Sequence, residues 1–155
     1  MKQNPCACFG YVILENTYPA NSVYEVQTFS GSNTLLFLTR GRLVQKRKNS
    51  EEVLGEYVAG NISSQWKNEV TDVLAAEETV MFCLTDKLNR GYIPDTTTVI
   101  LNGDQSANYE AGTKFFLCQG IVKVNGVEFT GPCQIGFKTA QTLEAKTDVY
   151  GLIIK

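Results

Sequence analysis

The chain has 155 residues, 43% of them hydrophobic and 19% charged, with a formal net charge of −2. That length and composition suit one folded domain or two very small ones, and they exclude a disordered chain. The near-neutral balance gives no general attraction to nucleic acid or to an anionic membrane, so neither is an expected partner.

In chain order the pattern is strand, turn, strand. Residues 1–10 are polar and hold Cys6 and Cys8. They lack the apolar core of a signal peptide, so synthesis in the cytoplasm without secretion is expected. Residues 11–15 read as a short strand, and residues 23–29 alternate in the manner of a half-buried one. Ser30, Gly31, Ser32 and Asn33 form a turn cluster. Residues 35–38 make a buried strand ended by Gly41, residues 42–48 alternate weakly, and Asn49 and Ser50 turn the chain. Strands over residues 53–58, 70–75 and 79–84 follow. Residues 85–91 break the pattern as one helical turn closed by Gly91, with Pro94 beyond, and are the expected link between two halves.

The second half resumes at residues 97–101. Asn102-Gly103 and Asn125-Gly126 both read as hairpin turns, because a type I′ turn needs positive φ. Further strands are expected at 114–118, 120–124, 127–129, 133–137, 142–145 and 149–154, with a turn at Gly131-Pro132. About sixteen short strands at roughly 8–10-residue spacing predict a sandwich or barrel. No apolar run approaches the roughly 20 residues of a bilayer span.

The halves resemble each other. Leu36-Phe-Leu-Thr-Arg-Gly41 matches Phe115-Phe-Leu-Cys-Gln-Gly120, Leu74-Ala-Ala-Glu-Glu-Thr-Val80 matches Leu143-Glu-Ala-Lys-Thr-Asp-Val149, and Val12-Ile-Leu14 matches Val99-Ile-Leu101, in the same order. The expected fold is therefore all-β: two tandem, duplicated, small jelly-roll or cupin-like β-sandwich units. An N-terminal arm and first unit span 1–88 and a second unit spans 89–155, unless the two run together as one continuous domain.

The sequence contains no histidine. Nucleophiles that borrow a histidine base, and metal sites that need an imidazole, are thereby excluded. Carboxylate chemistry, lysine chemistry and cysteine-only metal sites remain. The five cysteines, Cys6, Cys8, Cys83, Cys118 and Cys133, are scattered and odd in number, unlike a disulfide framework. Cys83 and Cys118 read as buried thiols within apolar strands. Cys6 and Cys8 offer either a soft-metal pair, an intermolecular crosslink, or ordinary thiols on an arm.

Arg40, Arg42, Lys46, Arg47 and Lys48 form a basic cluster around one hairpin, with Arg40, Arg42, Lys46 and Lys48 on one face. Such a face grips phosphate or an acidic partner, or simply guards an exposed edge, and Glu51 and Glu52 partly neutralise it. Glu51-Glu52 and Glu77-Glu78 are adjacent in strand register, point to opposite faces, and make poor acid/base pairs. Trp66, in a polar loop, is either an interface anchor or a side chain tucked onto its own barrel.

The grammar of apolar strand, glycine, polar hairpin, Ala59-Gly60-Asn61-Ile62 and then Leu74–Val80 resembles the cupin-type double-stranded β-helix, and more loosely the cyclic-nucleotide-binding jelly roll. The resemblance covers residues 34–84 and, more loosely, 113–154. Metal-binding cupins place histidines and a glutamate after the first glycine-turn strand. Here residues 63–69 supply only Glu69. Cyclic-nucleotide domains place an arginine before the strand at residues 70–73, where Lys67 is the nearest cation. The resemblance thus implies the fold without the metal chemistry or the nucleotide site.

The expected function is a non-enzymatic structural protein that assembles through protein–protein contacts, as a homo-oligomer or part of a larger assembly, with no cofactor. In type it is similar to a bacteriophage virion component such as a capsid decoration, neck or tail protein. Its expected contact points are the arm and Trp66. The alternative is a sensor module that holds a small ligand in the barrel interior, with Gln27, Thr39 and Gln134 as candidate inward polar groups. A third class, a carbohydrate- or nucleotide-modifying enzyme using carboxylates or lysine, has no residue that selects it.

Overall fold

Short runs of β-branched and aromatic residues, cut by turn residues, bury their apolar faces by pairing into sheets that pack on one another. The computed structural model describes residues 1–27, 34–65, 70–85 and 93–155, and among these every helix or strand is a strand. In chain order they are β1 (Lys2–Cys8), β2 (Tyr11–Tyr18), β3 (Ser22–Gln27), β4 (Thr34–Arg40), β5 (Arg42–Arg47), β6 (Val53–Val58), β7 (Ile62–Gln65), β8 (Val70–Ala75), β9 (Thr79–Thr85), β10 (Thr96–Leu101), β11 (Ser106–Tyr109), β12 (Lys114–Gln119), β13 (Ile121–Val124), β14 (Val127–Thr130), β15 (Cys133–Gly136), β16 (Gln141–Ala145) and β17 (Val149–Ile154). The chain divides into two units, Met1–Pro5 with Tyr11–Ile93, and Cys6–Gly10 with Pro94–Lys155.

In the first unit the sheet orders are β1-β2-β9-β4-β7 and β3-β8-β5-β6. In the second they are β10-β17-β12-β15 and β11-β16-β13-β14. With β1 set aside, the orders correspond strand for strand, β10 standing for β2 and β17 for β9. The fold is thus all-β, with two tandem jelly-roll units of the same topology. Each buries its core between its own sheets. Tyr18, Leu38, Leu43, Val73, Ala75 and Met81 form the first core. Phe115, Leu117, Val122, Leu143 and Val149 are central to the second.

The glycine-ended strand is duplicated in detail. The ladder of β4 with β9 shifts register between Leu38 and Arg40, and that of β12 with β17 shifts between Leu117 and Gln119. Gly41 and Gly120 follow with φ of +81° and +111°. A Cβ at either would collide with the carbonyl of Glu78 or Asp148, so the close crossing into the next sheet requires glycine there.

Strand register corrects the other two sequence matches. Leu43 pairs with Ala75, and Val122 with Ala145, so Val73 rather than Leu74 is the counterpart of Leu143. A one-residue slip exchanges the faces of a strand. Leu143 is fully buried, whereas Leu74 is only half-buried on the opposite face of its strand. Tyr18 pairs with Thr79 and Leu101 with Val149, which makes Tyr18, not Leu14, the counterpart of Leu101.

Asn125-Gly126 forms the expected hairpin, with φ of 48° and 77° and Val124 paired to Val127. Asn102-Gly103 does not, because β10 and β11 belong to different sheets. There the positive φ falls on Asp104, and the Gln105 N–H donates to the Asn102 carbonyl at 3.0 Å. Of the expected helical turn, Thr85 is the last residue of β9, and the rest lies outside the described residues.

Candidate functional site

Shared topology lets the two interiors be compared position by position. In the second unit the interior is mostly apolar, with Tyr109 and Cys133 the exceptions packed against it. Tyr109 packs against Phe115 and Phe137 with ring centroids 5.7 and 5.4 Å apart. The Phe115 ring occupies the space over Gly151, where a Cβ would collide with it. Val99, Leu101, Val124, Phe129, Val149 and Ile153 belong to this core or pack on it.

By register the counterparts of those six in the first unit are Asn16, Tyr18, Gln45, Tyr57, Thr79 and Cys83. Every one carries a polar atom where the second unit has none. Gln45 shares the face of Leu43, and Thr71 that of Val73 and Ala75, because alternate residues of a strand point the same way. The Tyr57 hydroxyl donates to Gln45 Oε1 at 3.3 Å, and Gln45 Nε2 donates to Thr71 Oγ1 at 3.1 Å. Thr71 is fully buried. Asn16 Oδ1 accepts from Gln3 Nε2 at 2.9 Å. Thr79 Oγ1 is committed to the crossing at Gly41, accepting the Arg42 N–H at 3.1 Å. A cavity of ≈ 10 Å³ lies among Leu36, Leu38, Tyr57, Asn61 and Met81. It is about the size of one water molecule.

None of these inner groups carries charge at neutral pH. Burial, and to a lesser degree Cys83 and Tyr24, push the Tyr18 phenol up to about 12. Burial alone pushes the Cys83 thiol up to about 12. Tyr18 and Tyr24 meet edge to face with centroids 5.3 Å apart. The site is a set of neutral donors and acceptors against an apolar wall, suited to orienting a ligand rather than to moving protons.

The residues singled out from the sequence lie elsewhere. Arg40 ends β4, in a different sheet from Arg42 and Lys46 on β5, so it is not on their face. Each cation has a carboxylate partner: Arg40 with Glu78 at 3.1 Å, Arg42 with Glu56 at 3.0 Å, Lys46 with Glu51 at 3.1 Å, Arg47 with Glu52 at 3.0 Å, and Lys48 with Glu25. The arm is a strand in residues Lys2–Cys8, next to β2 in its sheet. Cys6 is half-buried and Cys8 fully buried, and burial followed by the neighbouring Cys6 pushes the Cys8 thiol up to about 12. No cysteine is in a disulfide within the chain. Trp66 and the Gln27 side chain lie outside what is described. Thr39 is buried at the β-bulge with its Oγ1 unpartnered and does not line the cavity. Gln134 is exposed and accepts the Phe9 N–H at 2.8 Å. Of the inward polar residues missed from sequence, Gln45 and Thr71 were signalled only by their two-residue spacing from Leu43 and Val73, and Tyr57 only by its pairing across to Leu43.

The sequence matches no protein-family model and no curated protein. Solved structures do resemble it. Ylba from E. coli is 13% identical, with a TM-score of 0.64 over 98% of this chain and 81% of that one. A cupin 2 conserved barrel domain protein from Leptotrichia buccalis is 10% identical, with a TM-score of 0.58 over 99% and 88%. Bacterial pirin YhhW from Escherichia coli, in complex with nickel(II), is 12% identical, with a TM-score of 0.56 over 92% and 80%. The fold is cupin-like.

Two consequences follow. The expected assembly function, with its likeness to a phage virion component, is overturned, because one similar structure is a cupin 2 conserved barrel domain protein and another a pirin, and none of the three is described as a virion part. A nickel-bound structure also raises whether this interior suits a metal. Transition metals are held by imidazole, carboxylate or thiolate. The chain has no histidine, and among the described residues no group of three or more His, Cys, Asp or Glu could hold an ion. Amides, hydroxyls and phenols do not fit a metal centre.

Proposed function

We propose that the chain is a small-ligand-binding module whose site is the interior of the first unit's barrel, and that it acts by binding rather than by turnover. The observation that carries this is the replacement of six apolar core positions of the second unit by Asn16, Tyr18, Gln45, Tyr57, Thr79 and Cys83 in the first. A buried polar group gains only a modest net stability when paired and costs stability when left unpaired, so a core gains little from carrying such groups in place of the apolar packing of its twin. Binding without turnover is supported by the lack of histidine and by an inner set that holds no charged acid or base.

The test is a ligand screen read by melting temperature, because a ligand that binds only the folded chain raises it. The double variant Gln45→Val and Thr71→Val gives the first unit the Val124 type of interior and removes both partners of one hydrogen bond. Because the Tyr57 hydroxyl also loses its acceptor, the variant should fold with a stability loss of about 1–3 kcal/mol. Ligands that stabilise the parent should lose their effect on it. A ligand shift that survives both changes, or steady turnover of a bound compound, would defeat the proposal.

A further inference from the structure

Tyr57 sits in its barrel differently from an ordinary core residue. Its ring leans back along β6 over Gly55, where a Cβ would collide with the phenol oxygen and the carbon that bears it. The ring therefore occupies room that exists only because residue 55 has no side chain. Its hydroxyl reaches Gln45 Oε1 at 3.3 Å, long for an O–H···O bond. The ≈ 10 Å³ cavity touches the ring, with Leu36, Leu38 and Met81 opposite. Gln45 is held from behind by Thr71, so its carbonyl stays aimed when Tyr57 moves.

We propose that Tyr57 is a displaceable plug, and that the ligand is an uncharged, ring-sized molecule bearing a hydroxyl, which takes the ring's place over Gly55 and the hydroxyl's place on Gln45. This rests on the barrel interior being the ligand site. The ring's shape defines the size of the seat. Gln45 Oε1 calls for a donor, and the apolar wall calls for a hydrocarbon face. A charged ligand finds no counter-ion among the described inner groups and loses its hydration on entry.

The probes are phenol, toluene and benzoate, titrated calorimetrically into the full chain and its variants. Phenol should bind Tyr57→Ala about tenfold more tightly than the parent, since it no longer competes with a tethered phenol. Toluene should bind that variant more weakly than phenol does, and benzoate should not compete. Adding Gln45→Val to Tyr57→Ala should erase the advantage of phenol over toluene. Tyr57→Phe keeps the ring but not its bond, and should bind phenol more tightly than the parent. Equal phenol affinity in the parent and both Tyr57 variants would overturn the plug, as would benzoate binding as well as phenol. Loss of the fold in both variants would also overturn it, by showing Tyr57 to be an indispensable core residue. A screening ligand lost on changing Gln45 and Thr71, together with phenol binding indifferent to Tyr57, would remove the plug and leave the barrel site standing.

Discussion

The two units share a strand order but, among the described residues, line their interiors differently. Where Phe115 lies over Gly151 in the second, Leu36 and Met81 occupy the matching places in the first, beside a cavity and a hydrogen-bonded row of Tyr57, Gln45 and Thr71. Strand order, the β-bulge and the glycine crossing are common to both. The architecture is therefore set by backbone pairing and turn geometry, and the interior is free to differ. One copy keeps the more apolar core, while the other places more hydrogen-bonding side chains at the same positions.

Truncating the filled core tests that division most severely. Phe115→Ala removes a fully buried ring from the second unit and should cost about 3–5 kcal/mol in denaturant unfolding. Leu36→Ala, at the matching position beside the existing cavity, should cost about 2 kcal/mol. Equal losses would break the contrast between the two interiors.

Alkaline pH sharpens it next. Folding raises the Tyr18 pKa from 10.0 and the Cys83 pKa from 9.0, both to about 12, while their counterparts Leu101 and Ile153 cannot titrate. A group whose folded pKa lies above its unfolded value stabilises fully below the unfolded value and loses that contribution as pH rises through the folded one. The melting temperature should therefore fall from pH 9.0 towards about 12. Tyr18→Phe with Cys83→Val should reduce the fall, leaving the part due to the buried Cys8 thiol, and an unchanged pH profile in that variant would exclude these two groups as its cause.

The smallest effect belongs to the β5–β6 hairpin. Its cations pair with carboxylates at the surface, where such pairs are worth about 0–1 kcal/mol. Arg42→Ala should lower stability by no more than that in thermal unfolding, and less in high salt. A loss of several kcal/mol would make the hairpin part of the core.

Much of the fold was legible from alternation and turn chemistry. The strand at Leu35–Leu38, the Asn125-Gly126 hairpin and the Gly41/Gly120 equivalence all follow from local rules. The other two repeat matches slipped because short apolar strands look alike until a partner fixes their register. Asn102-Gly103 misled because the same dipeptide serves a crossing between sheets. The candidate site was hidden for a related reason. Gln45 lies in a stretch of cations and Tyr57 among hairpin residues, and only long-range pairing with β8 and β5 shows that both face inward.

The Phe9 N–H bond to Gln134 joins residues 125 apart in sequence. Cys8, next to it, is fully buried, and Cys6–Gly10 belong to the second unit. During synthesis these residues leave the ribosome long before residue 134 exists, so that contact forms only after nearly the whole chain has been translated. Contacts of such separation close late and slow folding. Until then the turn at Phe9 waits without this bond, an interval in which the chain is exposed to misassembly.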